Sequence, residues 1–260
     1  MQPLVPGQPR PWIIAHRGAS ADYPENTLAA FAAAAALPVD AMELDVQLSA
    51  DGVPMVYHDR TLRKLGRPRR RVAGYPLREL KSLDAGRWFA PRFAGEPLAT
   101  LDAVLERHGG RVPLMIEVKE RGGARSAGRH RLLARRVADR VTALGLADDV
   151  FILCFGLDLL LDCFTHAPHL RYVWNLDAPP NPTPATVRRI RPLAALCCSI
   201  RTLDAAFVAW AHRAGKPVLS YTLNDPGAVD KAMHAGVDGL ISDRPAWLAA
   251  YLEGGHETGR

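Results

Sequence analysis

The sequence predicts an α/β protein, because short β-rich runs alternate with Ala-, Leu- and Arg-rich stretches of helical pattern along the chain. Such an alternation is typical of parallel βα units. Eight strands of this kind are predicted, and eight is the number that closes a barrel. No glycine-rich phosphate loop follows the first strand, which disfavours an open doubly wound sheet. We therefore predict a (β/α)8 TIM barrel that occupies residues 1–260 as a single domain.

The predicted elements follow one another in barrel order. Asn26 or Thr27 caps the first helix, which continues to Ala36. The parallel strands are predicted at residues 12–15, 41–48, 113–118, 150–155, 170–174, 194–200, 217–223 and 238–242. Further helices are predicted near residues 130–144, 157–165, 184–190, 204–214, 226–235 and 245–253.

A further strand at residues 54–58 breaks this alternation. It follows the second barrel strand too closely for a parallel crossover, and Asp51-Gly52 between the two is a strong hairpin signal. A two-residue turn at Asp51-Gly52 places Asp45 opposite His58. The residues that follow, about 60–100, fit neither the strand nor the helix of the repeat. We predict that they form a small insertion subdomain over one face of the barrel.

The composition restricts the class of protein. The chain has no run of about eighteen apolar residues and no secretory pattern near its first residue. We therefore expect a cytoplasmic protein without an integral membrane segment. The four cysteines show no CxxC spacing, which indicates buried, reduced thiols rather than a metal or redox site.

The net charge of +6 comes largely from two basic segments, residues 63–71 and 121–140. The first segment has no interleaved aromatic side chains for base stacking and no recognisable nucleic-acid motif. We therefore predict no nucleic-acid partner. A basic rim that attracts an anionic substrate is preferred, and solvated surface charge without a role is the alternative.

Carboxylates gather where the predicted strands end. Glu43 and Asp45 share one face of the second strand, and Glu117 ends the next parallel strand. Barrel enzymes keep their chemistry at this end. Buried neighbouring carboxylates repel unless a cation or a proton intervenes, and a hard divalent ion takes oxygen ligands. The alternative is a metal-free cluster of ion pairs in which Arg17 and Lys119 neutralise the carboxylates.

Two histidines are predicted beside these carboxylates. His16 ends the first strand, and His58 returns next to the second strand. A neutral imidazole accepts a proton and a protonated one donates it. Arg17 carries a planar fork that suits phosphate oxygens, and Lys119 faces the same way as Glu117 and can meet an anionic substrate.

Short motifs containing these residues follow one another along nearly the whole chain. They are His16-Arg17-Gly18, Pro24-Glu25-Asn26-Thr27, Glu43-Leu44-Asp45-Val46, His58-Asp59 with Thr61-Leu62, Leu83-Asp84-Ala85-Gly86 with Trp88-Phe89, Glu117-Val118-Lys119, Tyr221-Thr222-Leu223-Asn224 and Asp238-Gly239-Leu240-Ile241-Ser242-Asp243-Arg244-Pro245. This ordered set resembles the glycerophosphodiester phosphodiesterase family, a branch of the barrel phosphodiesterases.

The resemblance implies metal-dependent hydrolysis of a small glycerophosphodiester to sn-glycerol 3-phosphate and an alcohol. It implies one divalent cation, Mg²⁺ or Ca²⁺, held by Glu43, Asp45 and Glu117. The implied acid–base pair is His16 and His58, and the implied substrate contacts are Arg17, Lys119, Phe155, Tyr221 and Asn224.

The chain departs from the family pattern at three places that bear on substrate preference. Tyr221 stands where relatives usually carry tryptophan, and Cys154 stands where they usually carry serine. A basic stretch, residues 63–68, replaces the usual threonine- and glycine-rich turn. The preferred head-group alcohol therefore stays open.

Two other functions are weighed against this one. A lysophospholipase D or a cyclising phospholipid lyase would need extra apolar surface at the mouth, which Trp88, Phe89 and Phe93 would supply unless they pack onto the barrel. A non-enzymatic basic binding module predicts strongly salt-dependent nucleic-acid binding. That reading leaves the ordered set of histidines and carboxylates unexplained.

Overall fold

The computed structural model describes residues 4–121 and 126–254. Its strands are β1 (Trp12–His16), β2 (Ala41–Leu48), β3 (Pro54–Val56), β4 (Leu114–Val118), β5 (Val150–Cys154), β6 (Arg171–Leu176), β7 (Ala195–Ser199), β8 (Val218–Tyr221) and β9 (Gly239–Ser242). Residues 1–3 and 255–260 of the predicted domain, and residues 122–125 of the predicted basic segment 121–140, lie outside the described residues.

Eight of these strands form a closed parallel barrel, which confirms the predicted fold. Their order is β1-β9-β8-β7-β6-β5-β4-β2, and β1 pairs with β2 to close the ring. The helices between and after the strands are α1 (Leu28–Ala35), α2 (Leu77–Leu80), α3 (Leu101–His108), α4 (Ala127–Ala143), α5 (Leu157–His166), α6 (Pro184–Ile190), α7 (Ala205–Arg213), α8 (Pro226–Ala235) and α9 (Pro245–Glu253).

Alternation of side chains along the strands gives the barrel two apolar surfaces. Inward-facing Ile14, Phe151 and Leu219 belong to the cluster that fills the interior. Outward-facing Leu44 and Val46 pack in the larger cluster between strands and helices. Because the interior is filled with apolar side chains, the polar inward positions that remain are at the carboxyl ends of the strands.

The hairpin predicted after β2 forms, but its predicted register is wrong. Val46 lies opposite Val56, which shifts the pairing by one residue. The loop holds three residues rather than two, because the Ser49 N–H donates to the Val53 carbonyl at 2.9 Å. Gly52 adopts a φ of 85° at the end of this loop, a conformation that glycine takes without steric cost.

The shifted register changes the partner of Asp45. The Tyr57 N–H, rather than that of His58, donates to the Asp45 carbonyl at 2.9 Å. The side chain of His58 nevertheless lines the same cavity as Glu43. Since β3 ends at Val56, the strict alternation of faces no longer applies at His58.

Residues 57–100 contain α2 and three short 3-10 helices, Arg63–Leu65, Val72–Gly74 and Pro91–Phe93. Their apolar side chains form a small cluster of their own with Met55 from the hairpin. Phe89 contacts Trp88 and Phe93 edge-on, and Phe93 also contacts Tyr23. The insertion therefore has a separate apolar centre beside the barrel, and its assignment as a subdomain of a single-domain chain stays a proposal.

The helices of the described residues lack the length and composition of a membrane span. None of the helices within residues 4–121 and 126–254 combines the length and apolar composition that a bilayer-spanning segment needs.

The outward packing of β2 leads to a stability prediction. Leu44 is fully buried between the strand and its helices. Leu44→Ala is expected to lower the free energy of unfolding by about 2–5 kcal/mol, because the cavity left behind loses both transfer and packing energy. Leu132→Ala on α4, where the side chain is 41% exposed, is the control and should stay within about 0.5 kcal/mol. Urea unfolding of both variants measures the difference, and equal losses would contradict the packing described.

Candidate active site

The strand register brings the predicted polar residues to one end of the barrel. His16 on β1 is the register partner of Glu43 on β2, and Asp45 on β2 is the partner of Glu117 on β4. A cavity of about 440 Å³ opens at this end. Its walls include His16, Arg17, Glu43, His58, Glu117 and Lys119.

Three buried carboxylates form the floor of this site. Glu43, Asp45 and Glu117 each offer an oxygen atom within 4.8 Å of the other two. All three side chains are at most 8% exposed. This is the cluster that the sequence predicts, and the backbone register explains it, because the three residues occupy inward positions on two paired strands.

Asp45 is the most heavily neutralised of the three. Lys119 Nζ lies 2.7 Å from Asp45 Oδ1, and Arg17 Nε lies 3.2 Å from Oδ2. Burial alone would raise the pKa of the Asp45 carboxyl, but the charges of Lys119 and Arg17 hold this pKa well below its usual range. The surroundings of Asp45 therefore favour its ionised form.

Asn26 holds the same carboxylate from the other side. Asn26 Nδ2 donates to Asp45 Oδ2 at 2.8 Å, and the Asp45 N–H donates to Asn26 Oδ1 at 3.1 Å. Of the two predicted caps of α1 it is Thr27 that caps the helix, since its side chain accepts from the Ala30 N–H. Asn26 has a φ of 59°, a conformation that asparagine tolerates better than most residues.

Glu43 and Glu117 are less well neutralised. Burial raises the pKa of Glu43 well above its usual value, and the neighbouring charges of Asp45 and Glu117 raise it further. Burial likewise raises the pKa of Glu117, although Lys119 at 2.5 Å opposes the rise. The backbone N–H of Arg17 donates a hydrogen bond to Glu43 Oε2 at 3.1 Å.

This donor set fits a hard divalent cation. Three carboxylates are more negative than the two cations beside them, Lys119 and Arg17, can balance. The Asn175 Nδ2 donates to Glu117 Oε2 at 3.2 Å, while its buried Oδ1 has no described hydrogen-bond donor. Mg²⁺ and Ca²⁺ both prefer carboxylate and amide oxygens, so these residues have the chemistry to hold either ion.

Each histidine of the site is fixed by a carboxylate at Nδ1. His16 Nδ1 lies 2.5 Å from Asp243 Oδ1, and His58 Nδ1 lies 2.9 Å from Asp59 Oδ1. Burial raises the pKa of Asp243, but the hydrogen bond and charge of His16, together with the hydrogen bonds from Asn224 and Ser20, outweigh it and lower this pKa to about 2. The hydrogen bond from His58 lowers the pKa of Asp59 to about 2, with Lys64 adding to the effect. Because each carboxylate accepts the Nδ1 proton, Nε2 is the nitrogen left to exchange protons.

The position of His58 is set by backbone contacts rather than by the strand ladder. Gln47 Nε2 donates to the carbonyls of Tyr57, His58 and Asp59 at 2.8–3.1 Å. Arg121 Nη2 also donates to the His58 carbonyl, at 2.7 Å. These donors hold the segment after β3 over the barrel mouth and turn the imidazole toward the carboxylates.

The turn after His16 needs its unusual backbone. Arg17 has a φ of 58°, which aims its N–H at Glu43. Gly18 follows with a φ of 81°, and a Cβ atom there would lie 2.6 Å from the Ala30 carbonyl carbon. Glycine is therefore required for the close approach of this turn to α1, and the turn fixes Arg17 between Asp45 and Glu25.

The far wall of the cavity is aromatic. Phe155 is 38% exposed, and its ring meets that of Tyr221 edge-on at 6.3 Å. Both line the cavity, together with Asn175. Cys154 at the end of β5, the other single-residue departure from the family pattern, faces the outer core, and its thiol donates to the Glu120 carboxylate at 3.2 Å.

Asn224 lies behind His16 rather than on the wall with Phe155. Its Nδ2 donates to Asp243 Oδ2 at 2.6 Å, and its Oδ1 accepts from the Asp243 N–H at 2.9 Å. It lines a shallower pocket beside Arg17 and Arg244. The structure therefore places this predicted substrate contact as a support of the carboxylate that holds His16.

Sequence reasoning gave no role to Asp243, Asp59 or Asn175. Asn175 had a detectable signal, because it is a polar residue that directly follows the predicted strand at 170–174, and the observed strand β6 includes it. Asp243 and Asp59 belong to two of the sequence motifs given above. Their contacts with His16 and His58 depend on side-chain rotamers, which a sequence motif does not specify.

The carboxyl end of this barrel gathers two carboxylate-held histidines, an arginine and three buried carboxylates, which are groups that acid–base chemistry on a phosphate ester requires. The sequence profile described as "Glycerophosphoryl diester phosphodiesterase family" matches residues 16–247. The chain belongs to this family, and its enzyme class is that of the phosphoric diester hydrolases. The matched range includes every site residue predicted from the sequence.

Individual relatives agree with this assignment. A glycerophosphodiester phosphodiesterase of Caldanaerobacter subterraneus subsp. tengcongensis is 32% identical over 241 residues, which cover 91% of this chain and 95% of the relative. The crystal structure of a glycerophosphodiester phosphodiesterase from Agrobacterium tumefaciens matches with a TM-score of 0.77 and 31% identity over 93% of this chain and all of that one. An Oleispira antarctica phosphodiesterase, solved in complex with the product sn-glycerol-3-phosphate, matches with a TM-score of 0.82 and 28% identity over 94% and 97% of the two chains.

The clamp between Asn26 and Asp45 leads to a prediction with a defined pH dependence. Asn26→Asp keeps the side-chain shape but sets a second carboxylate against Asp45. We expect the variant to lose about 3 kcal/mol of folding stability relative to the parent protein at pH 7. The new carboxyl has a raised pKa in the folded state, so the deficit should shrink as the pH falls below about 5.

Thermal or urea unfolding of the variant and the parent at each pH measures this deficit. Asn181→Asp, at an exposed position, is the matched control and should change stability by less than about 0.5 kcal/mol. If the stability lost in Asn26→Asp did not change with pH, the contact between residue 26 and the Asp45 carboxylate would be contradicted.

Proposed function

We propose that this chain hydrolyses glycerophosphodiesters to sn-glycerol 3-phosphate and a free alcohol, with a divalent cation and two histidines acting together. The observation that carries the proposal is the pair of carboxylate-held histidines, His16 and His58, on one cavity whose floor is three buried carboxylates. Family membership and the product bound by the Oleispira antarctica relative support the reaction class.

Arg17 and Lys119 are proposed to bind the phosphoryl oxygens. The guanidinium of Arg17 is held by Glu25 and Asp45. Burial would lower the pKa of Arg17, but these carboxylates raise it, so the side chain stays charged. Burial likewise lowers the pKa of Lys119, and Asp45 and Glu117 outweigh this and raise it. Two permanent positive charges in a half-enclosed cavity favour a phosphodiester anion over a neutral ligand.

The histidines are proposed to move the protons. Nε2 of one histidine takes the proton from the glycerol hydroxyl next to the phosphoester, and that oxygen attacks phosphorus. Nε2 of the other gives a proton to the leaving alcohol oxygen as its bond to phosphorus breaks. Water then opens the resulting cyclic phosphate, with the two proton transfers reversed. Asp243 and Asp59 keep the two rings oriented and stabilise their protonated forms.

Glu43, Asp45 and Glu117 are proposed to hold one divalent cation, either Mg²⁺ or Ca²⁺. Such an ion, when bound, would offset negative charge on the phosphoryl oxygens and would help to hold the glycerol hydroxyls. Asn26 and the Arg17 N–H keep Asp45 and Glu43 in place for it.

The glycerol unit is proposed to lie against Phe155 and Tyr221. Their rings offer apolar surface to the carbon chain, while Asn175 and Glu117 offer polar atoms to the hydroxyls. The leaving alcohol then points toward the open mouth, and Asn224 acts indirectly through Asp243.

We propose that the enzyme works in a reducing compartment, the cytoplasm. The support is the set of four cysteines, all buried and unpaired in the described residues. The expected substrate is a small molecule.

The role of the histidines is tested by product release. His16→Ala is expected to lower the rate of sn-glycerol 3-phosphate release from glycerophosphocholine and glycerophosphoethanolamine by about 10³-fold or more, because a proton-transfer group and its orienting partner act as a unit. His234→Ala, at an exposed position on α8, is the control and should retain the parent rate. Chelation by EDTA should abolish the activity, and Mg²⁺ or Ca²⁺ should restore it.

Several outcomes would count against the proposal. Full activity of His16→Ala would exclude its proton-transfer role, and full activity in EDTA would exclude the metal. No release from either diester with Mg²⁺, Ca²⁺ or Mn²⁺, accompanied by release of the head group from a lysophospholipid, would favour the lysophospholipase D alternative.

Metal binding should release protons. Since burial raises the pKa of Glu43 and Glu117, part of the metal-free protein carries protons that a bound cation displaces. The affinity for Mg²⁺ or Ca²⁺ should therefore fall as the pH is lowered. Titration calorimetry in two buffers of different ionisation enthalpy measures the released protons. Glu43→Gln should weaken binding by about tenfold or more, and the exposed-site control Glu106→Gln should not.

A further inference from the structure

A second, smaller cavity lies beside the proposed active site. It encloses about 110 Å³ and lies between the segment after the hairpin and the amino end of α4. Its lining includes Arg60, Arg71, Lys119, Arg121, Arg129 and His130. The proposed chemistry uses only Lys119 of these residues.

The arginines that line this cavity have no carboxylate partner among the described residues, whereas Lys119 pairs with Asp45 and Glu117. Among the described residues, neither an aspartate nor a glutamate lines it. Arg60 and Arg71 form no ion pair with any described residue, and Arg121 Nε is buried without a described hydrogen-bond partner. A cluster of like charges on a concave surface is unfavourable unless an anion binds there.

Two of the lining side chains are held by contacts with backbone carbonyls. Arg129 Nη2 donates to the Ser49 carbonyl at 2.7 Å. His130 Nε2 lies 2.8 Å from the Arg121 carbonyl. The first turn of α4, a helix of 17 residues, carries no acidic side chain that would neutralise the positive end of the helix dipole.

The two cavities share a wall. Lys119 and Arg121 line both of them. Lys119 contacts Asp45 and Glu117 on one side, and Arg121 holds the His58 carbonyl. A ligand whose phosphodiester lies beside these residues thus has its second cationic binding surface within the same barrel mouth.

We propose that the second cavity binds a phosphate carried by the leaving alcohol, so that the preferred substrates are glycerophosphodiesters whose alcohol bears a further phosphate. This inference rests on the proposed function and names the substrate class for the same site. The aromatic wall of Phe155 and Tyr221 takes the glycerol unit, and the cationic cavity lies on the other side of Lys119. A guanidinium group binds phosphate oxygens through paired hydrogen bonds. A phosphate on the leaving alcohol therefore explains why arginines line this cavity, whereas a neutral or cationic alcohol would not need them.

The test compares two diesters that differ only in the added phosphate, glycerophosphoglycerol and its terminal phosphate monoester. Arg60 and Arg71 are exposed and line only the second cavity. In the double variant R60Q/R71Q, kcat/KM for the phosphorylated diester should fall by about tenfold relative to kcat/KM for glycerophosphoglycerol, mainly through KM, because two charged contacts are lost. Loss of the diester ³¹P signal measures both rates without a coupled assay.

The control removes equal charge from the same basic segment. Arg69 and Arg70 are exposed and do not line the cavity, so R69Q/R70Q should leave the ratio of the two rates within about twofold of the parent protein. Equal losses in both double variants would overturn the inference in favour of long-range attraction. An unchanged ratio in R60Q/R71Q would overturn it outright. If the parent protein hydrolyses neither diester, the proposed function itself fails. If it hydrolyses both diesters with equal kcat/KM, only the inference about the second phosphate fails.

Discussion

The organisation of this protein depends on the burial of three carboxylates, Glu43, Asp45 and Glu117, side by side at one end of a closed barrel. Like charges out of water cost several kcal/mol unless partners offset them. The surrounding residues supply more of these partners to Asp45 than to Glu43 or Glu117. Asp45 is enclosed by two cations and an amide, whereas Glu43 and Glu117 retain raised pKa values. The site is thereby divided into one fully neutralised carboxylate, Asp45, and two carboxylates that the described residues neutralise only in part.

The barrel makes this arrangement possible because β1, β2 and β4 each have two kinds of inward-facing side chain. Those in the barrel interior are apolar, and those at the carboxyl ends of these strands are polar. The register between β1, β2 and β4 sets His16 beside Glu43 and Asp45 beside Glu117. The loops then add what strands do not provide: the left-handed turn at Arg17, and the carbonyl contacts that hold His58. Strands carry the carboxylates and His16, while a loop brings His58, the second group that is proposed to move protons.

The fold and most of the site geometry could be predicted from the sequence, because inward positions and strand ends follow from a two-residue periodicity. The hairpin register could not, since Asp51-Gly52 fits both a two-residue and a three-residue loop. The predicted facing of Asp45 and His58 was wrong for that reason. His58 reaches the cavity by a different route, through Gln47 and Arg121. Asn26 shows the same limit, because an asparagine before Thr27 fits a helix cap as well as a carboxylate clamp.

Lys119 has a consequence for how the protein is assembled. Its ammonium group lies between Asp45 and Glu117, so the chain carries an internal counter-ion for part of its own negative charge. Proteins that depend on a metal to fold unfold when a chelator removes it. In this barrel the apolar interior and Lys119 both belong to the chain, so the protein itself offsets part of the charge of the carboxylate cluster. The cation proposed for this site would therefore serve the reaction more than the fold.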